Sequence, residues 1–327
     1  MLLKRYIPLV FALFALSLVA SGVGATDSGN LWSYFFGSLR PEQIEVLSSI
    51  RLPRIATALL AGFLIGIAGA TMQRAFANPL AEPTLLGTTA AAALGSVTAI
   101  ILGASSLNPA VTLPAAFLAA LLVSAFTINL EGKSKLRSTN LIIVGIAIAA
   151  LLNAAISVIA AVSENQEIKA VSFWTSGTLS FARGDTVLTL TFVGILVACT
   201  IPYLSRYLDL FVFNPIQLTL LGHNPKRLKL IALAVTSLAV AATVVSIGAV
   251  AFLGLAAPFV ARFIFGESMK YALIPSGLFG ALILLASDTL ARSIAAPTEL
   301  PISVVTSLIG APFLLLLVIG KRGRQDA

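Results

Sequence analysis

Apolar residues in this chain neither alternate nor recur at every third or fourth position. They come in unbroken runs of about 20, the length at which a helix crosses the hydrocarbon core of a bilayer. Punctuation by Gly, Pro and charged residues predicts ten runs, near 6–25, 55–74, 85–103, 111–130, 140–162, 186–204, 230–249, 251–265, 271–291 and 302–319. The eighth is short and contains Gly254 and Pro258; a bilayer tolerates such breaks where surrounding protein satisfies the backbone. Lys4 and Arg5 precede the first run and Val23-Gly24-Ala25 ends it, so a cleaved signal peptide competes there with a retained helix. The pattern predicts an all-α, polytopic membrane protein, with residues 1–327 forming one transmembrane domain.

Composition agrees. Of 327 residues, 58% are hydrophobic and 10% charged, and mean hydropathy is +1.00. A soluble domain carries about 25% charged residues, so soluble classes are excluded. The net charge of +8 raises the question of nucleic acid, but its distribution gives another answer. With both termini cytoplasmic, 15 of the 21 Lys and Arg fall inside and 6 outside, which is the positive-inside bias. No nucleic-acid partner is needed.

Missing residue types exclude more chemistry. One cysteine and one histidine, Cys199 and His223, cannot build a disulfide framework or a Cys/His metal site. Cys199 lies in an apolar run and is expected to be a buried small hydrophobe. Glu131-Gly132-Lys133-Ser134 ends like a phosphate-binding loop, but Thr127 stands where the first glycine is required. A membrane enzyme is disfavoured by the same scarcity and by the lack of clustered carboxylates. A carrier driven by protons or sodium usually keeps an ionisable residue within a span. Here Arg74, Arg262 and Asp288 fall near predicted span ends, and the polar residues within spans, notably Thr71, Gln73, Thr98, Asn153, Ser157 and Thr243, are neutral. That points to a channel, a scaffold, or a transporter driven by a separate subunit. Gly62, Gly66 and Gly69 permit close helix approach, either within one bundle or at a dimer seam.

Two polar islands exceed simple connectors. One is Gln73 to Pro83 with Leu86-Gly87; the other is the loop of about 205–229, which suits a short helical element that receives a partner. With these segments the chain resembles the FecCD-type permeases of ATP-binding-cassette (ABC) importers, which move iron–siderophore complexes, haem and cobalamin. The resemblance rests on Arg51-Leu52-Pro53-Arg54, Gly69 to Gln73, Asn78-Pro79-Leu80-Ala81-Glu82-Pro83 with Gly87, and Gly254-Leu255 with Pro258 and Arg262. It continues with Asp288, Ala291-Arg292, Glu299-Leu300-Pro301 and Gly310-Ala311-Pro312-Phe313, in family order.

The resemblance implies a type II importer permease fold of about ten transmembrane helices per subunit. The implied assembly is a permease homodimer or heterodimer in a bacterial or archaeal cytoplasmic membrane. Two cytoplasmic ABC ATPases would dock below and an extracytoplasmic substrate-binding protein outside. This chain would bind no cofactor itself, ATP and Mg belonging to the ATPase. The cargo is expected to be an iron–siderophore complex, with haem or cobalamin as alternatives, and an ion-coupled secondary transporter as the more distant one. By motif position, ATPase coupling falls to Asn214, Leu218, Leu221, Gly222, His223, Asn224, Pro225, Lys226 and Arg227. Phe213-Asn214 replaces the family's earlier Leu-Gly, which bears on the choice of ATPase. Binding-protein docking falls to Arg51, Arg54 and Arg292, since arginine forks suit partner carboxylates. Arg51 or Arg54 as headgroup anchors, and an intrahelical Arg292–Asp288 pair, are the local alternatives. The cytoplasmic gate falls to Ser138 and Thr139, where Ser138 equally suits a helix cap. Asn153 and Ser157 are expected along the path.

Overall fold

The computed structural model describes residues 3–23, 31–37, 39–103, 111–134, 138–163, 175–294 and 298–322. All regular structure among them is helical: α1 Leu3–Gly22, α2 Leu31–Phe35, α3 Pro41–Val46, α4 Leu52–Ala75, α5 Thr88–Ile101, α6 Thr112–Ser134, α7 Ser138–Val162 and α8 Gly184–Leu208. Then follow α9 Pro215–Leu220, α10 Pro225–Ile247, α11 Leu253–Phe265, α12 Met269–Ile294 and α13 Ile302–Arg322. A π turn, Leu47–Arg51, joins α3 to α4, and a 3-10 turn, Asp209–Val212, follows α8.

Each predicted apolar run recurs as a helix, with ends displaced by a few residues. Length separates them into two kinds. Among the described residues seven helical segments are long and apolar enough to cross a membrane, and α5 and α11 are shorter. At 1.5 Å per residue, α5 and α11 extend only ~20 Å, less than the ~30 Å hydrocarbon core.

The spine is α4. Its most extensive packing is against α12, followed by α10, α11 and α8. Gly62, Gly66 and Gly69, at helical spacing, form the face that makes this possible. A β-carbon at Gly62 would strike the Gly280 backbone, at Gly66 the Ser276 backbone, and at Gly69 the Gly254 backbone. The small residues therefore serve packing within one chain, where dispersion at short helix separation replaces the missing hydrophobic drive. At the other extreme, α7 and α1 leave most of their length open. Ile143, Leu151, Val158 and Val162 of α7 are all exposed.

Cys199 is exposed on α8, contrary to its expected burial. Leu188, Phe192 and Ile195 share that exposure. In hydrocarbon an apolar side chain has no need of a protein interior, so the rule linking apolar character to burial fails on this helix.

Candidate functional site

The chain between α4 and α5, one of the two polar islands of the sequence, folds back into the bundle. Glu82, Pro83 and Thr84 lie beside Ile65 of α4 and Val240 and Thr243 of α10. Ile65 is ten residues, or ~15 Å, inside the Ala75 end of α4. Backbone groups at such depth need internal partners, and the motif supplies them. Asn78 Oδ1 accepts from Leu80 N at 2.9 Å and Asn78 O from Ala81 N at 3.1 Å. Pro79 and Pro83 have no N–H to satisfy. Pro83 O accepts from Thr88 N at 3.1 Å. Gly87, with φ +78, starts α5 in a conformation that a side chain would oppose. Gly145 of α7 packs against the backbone of Leu85 and Leu86, so the same bend supports α7. Glu82 is thus a carboxylate at membrane depth, whereas the hydropathy pattern had left the spans without one near their centres.

At the start of α4, Arg54 donates to both Asp288 oxygens, Nη2 to Oδ1 at 2.7 Å and Nε to Oδ2 at 3.1 Å. The same guanidinium reaches both oxygens of Glu299, at 2.7 and 3.0 Å. Ser180 also donates to Glu299. Burial pushes the Glu299 carboxyl upward, but hydrogen bonds from Arg54 and Ser180 and the charge of Arg54 and Arg292 outweigh it and hold the group below the usual glutamate value. Arg292 donates to Val23 O at 2.7 Å and Ala20 O at 2.5 Å, with Asp288 at 3.6 Å one turn away, so the intrahelical pair is present. Arg51 donates to Ser21 O. The three arginines expected on a docking rim are therefore buried, at 4%, 8% and 7% exposure for Arg51, Arg54 and Arg292, and hold α1, α4, α12 and the approach to α13 together. Arg40 and Arg183 are exposed.

The other end of α4 is looser. Arg74 donates to Glu267 O at 2.6 Å and to Asp209 at 3.3 Å, while Asp209 also accepts from Ser268 Oγ at 2.6 Å and Met269 N at 2.7 Å, capping α12. Asp209 leads directly into the expected coupling loop. There Asn214 and Gln217 form a reciprocal capping box, Gln217 N to Asn214 Oδ1 at 2.9 Å and Asn214 N to Gln217 Oε1 at 3.1 Å. Pro215 occupies the first helical position, so the six-residue α9 is set up at its N-terminus. Gly222, φ +82, turns the chain, and Asn224 caps α10 by accepting from Arg227 N at 3.1 Å, with Pro225 next. Leu218 is buried and anchors α9, whereas Ile216, Leu220 and Leu221 are exposed, as are Lys226 and Arg227. His223 meets Tyr207 edge-on at 5.6 Å. Behind α9, Phe76, Asn129, Phe213 and Lys226 line a cleft of about 700 Å³, and Lys229 sits over the Phe76 ring at 4.2 Å. An apolar patch ringed by polar groups marks a surface for a protein partner.

Of the expected path residues, Asn153 and Ser157 lie on the exposed face of α7, with Ser157 Oγ bonded to Asn153 O at 2.9 Å. Ser138 and Thr139 begin α7, and their side chains lie outside the described residues. Sequence reasoning missed the pairing of Arg54 with Asp288 and Glu299 and the role of Asp209. Glu299 had been noted only as a motif member and Asp288 as one and as a partner of Arg292, and nothing local marked Asp209 as a cap for a helix 60 residues away. Among the described residues no His/Cys/Asp/Glu group could hold a metal ion.

Comparison with known proteins accounts for the co-occurrence of these features. The family described as the FecCD transport family matches residues 9–320. The hemin transport system permease HmuU of Yersinia pestis is 34% identical over 327 residues, covering 97% of this chain and 96% of that protein. The iron(3+)-hydroxamate import system permease FhuG of Bacillus subtilis is 35% identical over 292 residues, covering 87% of this chain and 86% of that one. Among solved structures, a metal-chelate type ABC transporter in an inward-facing conformation superposes with a TM-score of 0.82 at 27% identity, covering 97% of this chain and 99% of that one.

Proposed function

The chain belongs to the FecCD transport family, and from that membership we propose that it moves an iron–siderophore complex across the cytoplasmic membrane as the permease subunit of an ABC importer. Two copies, or one copy and a similar permease, enclose the path. Two ABC ATPases dock beneath and hydrolyse ATP with Mg, and an extracytoplasmic binding protein delivers cargo. Both termini face the cytoplasm, which places the Arg74 end of α4 inside and the Arg54 end outside. The chain itself holds no cofactor.

The observation that carries this proposal is the coupling segment. A short helix fixed by its own capping box and by buried Leu218, presenting exposed Ile216, Leu220 and Leu221, is a rigid apolar knob suited to a groove on a soluble ATPase. The carboxylate at membrane depth does not reinstate an ion-coupled carrier. Glu82 already accepts from the Thr84 hydroxyl of the same bend. On the outer face, Arg51, Arg54 and Arg292 shape the docking platform from beneath, while Arg40 and Arg183 meet the carboxylates of the binding protein directly. Haem is the second cargo, favoured by the hemin permease matching 97% of this chain against 87% for the hydroxamate permease.

Uptake of a labelled ferric chelate into proteoliposomes tests the proposal. With the ATPase and binding protein present, uptake is expected to require ATP and to persist when ionophores collapse ion gradients. Uptake that needs a gradient and ignores ATP would identify a secondary carrier instead.

A further inference from the structure

The cleft behind α9 lies where three spanning helices end. Phe76 follows the last residue of α4, Ile128 and Asn129 belong to the final turns of α6, and Lys226 and Lys229 to the first turns of α10. The corresponding spans end at Ala75 and Leu130 and begin at Pro225, so the cleft sits where the headgroups of one leaflet meet the hydrocarbon. Phe76, Ile128, Phe211 and Leu218 give it an apolar wall, and Lys226 and Lys229 supply two ammonium groups. Spaced i and i+3, the two lysines are neighbours on one face of α10. Among the described residues no Asp or Glu lines the cleft. Lys229 is 9% exposed, with its ammonium 4.2 Å from the centre of the Phe76 ring, a contact that strengthens as water is excluded.

At about 700 Å³ the cleft has the size of a small-molecule site. A second observation points to a lipid rather than to a free anion. Leu118, Leu122 and Phe126 of α6 are exposed and lie four residues apart, so they form one row along the helix. Asn129, also exposed, carries that row into the cleft. From Leu118 to Asn129 the row runs ~16 Å, about the depth of one leaflet's hydrocarbon. A cationic pocket at headgroup level is thus continuous with an apolar track of the length an acyl chain covers.

We propose that this cleft binds an anionic glycerophospholipid, with its phosphate at Lys226 and Lys229 and one acyl chain along the α6 row. A basic pocket between helix ends at the membrane surface suits such a headgroup, which brings the negative charge that the lining lacks. The bound lipid rests against Leu218 of α9, while Ile216 and Leu220 stay exposed for a protein partner. The site needs only this chain and a membrane, so it stands or falls independently of the importer function proposed above.

Titration of the detergent-solubilised full chain with dioleoyl phosphatidylglycerol or dioleoyl phosphatidylcholine, read as lipid adducts by native mass spectrometry, tests the site. A lysine close to an anionic headgroup corresponds to about fivefold in affinity. Wild type is therefore expected to bind phosphatidylglycerol about twentyfold more tightly than phosphatidylcholine. Lys226→Ala should reduce that preference about fivefold, and Lys226→Ala combined with Lys229→Ala should abolish it. Arg206→Ala, which removes an exposed cation from the last turn of α8, outside the cleft, should leave it unchanged. Equal affinities for the two lipids, or a preference that survives the double variant, overturn the proposal. An equal loss in Arg206→Ala overturns it too, because diffuse surface charge would then be enough. Should the double variant fail to fold, Lys226→Ala decides alone, since Lys226 is exposed, and an unchanged preference there overturns the site. Inorganic phosphate at millimolar concentration should leave the phosphatidylglycerol adduct in place; displacement would assign the cleft to a free anion and overturn the lipid. Loss of the lipid one for one as an ATPase subunit joins the chain would assign the lysines to carboxylates of that partner and overturn it likewise.

Discussion

The two ends of α4 are each fastened by an arginine, and the fastenings differ in kind. At the Arg54 end a guanidinium fork grips two carboxylates, one of them, Asp288, fully buried. At the Arg74 end the guanidinium reaches a backbone carbonyl and, at 3.3 Å, a carboxylate on Asp209 that is 30% exposed. Water screens charges at the second site far more than at the first. The difference separates a fixed end from a compliant one. Next to the fixed end are the connections to α1, the π turn and α13; next to the compliant end is the segment Asp209–Leu220, which takes the force of a moving ATPase in the proposed importer.

The strongest attack on this comparison is Arg54→Ala. It leaves the buried Asp288 carboxylate with Arg292 alone, at 3.6 Å, and removing one partner of a buried pair costs about 3–5 kcal/mol. Thermal unfolding of the detergent-solubilised chain should show a large fall in Tm. Arg54→Lys should recover part of it, because the charge survives while the fork does not. A Tm for Arg54→Ala within a degree or so of wild type would mean that the outer network is ornamental and the asymmetry false.

The next effect belongs to the compliant end. Asn214→Ala removes half of the capping box on α9, worth about 1 kcal/mol of local stability. Because α9 is a peripheral helix, global Tm should hardly move, whereas affinity for the ATPase, measured by titration against the reconstituted permease, should weaken several-fold. Arg74→Ala should be gentler still on stability, at most about 1 kcal/mol for a partly exposed pair, and its effect should shrink in high salt while that of Arg54→Ala does not. Equal losses of Tm from Arg54→Ala and Arg74→Ala would erase the distinction.

Much of the fold was legible because hydropathy runs are a statement about solvent. Positions such as Leu64 and Ile67 read as spanning whether they face protein or lipid, and the chain's membership in its family was legible in Asn78–Pro83 and Gly254–Arg262. What hydropathy does not carry is depth and facing. Glu82 sits in a polar island, and polarity favours the membrane edge; only the local hydrogen bonds of Asn78 and Pro83, which free the backbone from water, let that island lie beside Ile65. Cys199 failed for the complementary reason, since apolar character in a lipid-facing helix says nothing of burial. The arginines at 51 and 54 read as a rim because their partners Ser21, Asp288 and Glu299 are remote in sequence, and Arg292 because the Ala20 and Val23 carbonyls that it holds besides Asp288 are remote too. Asp209 was invisible for the same reason.

The smallest effect expected is also the most discriminating for the fixed end. Glu299 is 36% exposed at its side chain, so its bonds to Arg54 contribute less than those of Asp288. Its carboxyl is held below the ordinary value of 4.5 by Arg54 and Ser180 against the opposing effect of burial. A carboxyl whose folded-state value is depressed binds its proton less readily folded than unfolded. Its stabilisation is therefore complete above 4.5 and drains away as pH falls through the lower folded value. The difference in Tm between wild type and Glu299→Gln should accordingly stay constant from neutrality to about pH 5 and close only below 4.5. A difference in Tm that does not change with pH would show that Glu299 titrates as a free surface carboxylate. The Arg54 fork would then grip Asp288 alone, and the fixed end would owe its strength to one carboxylate rather than two.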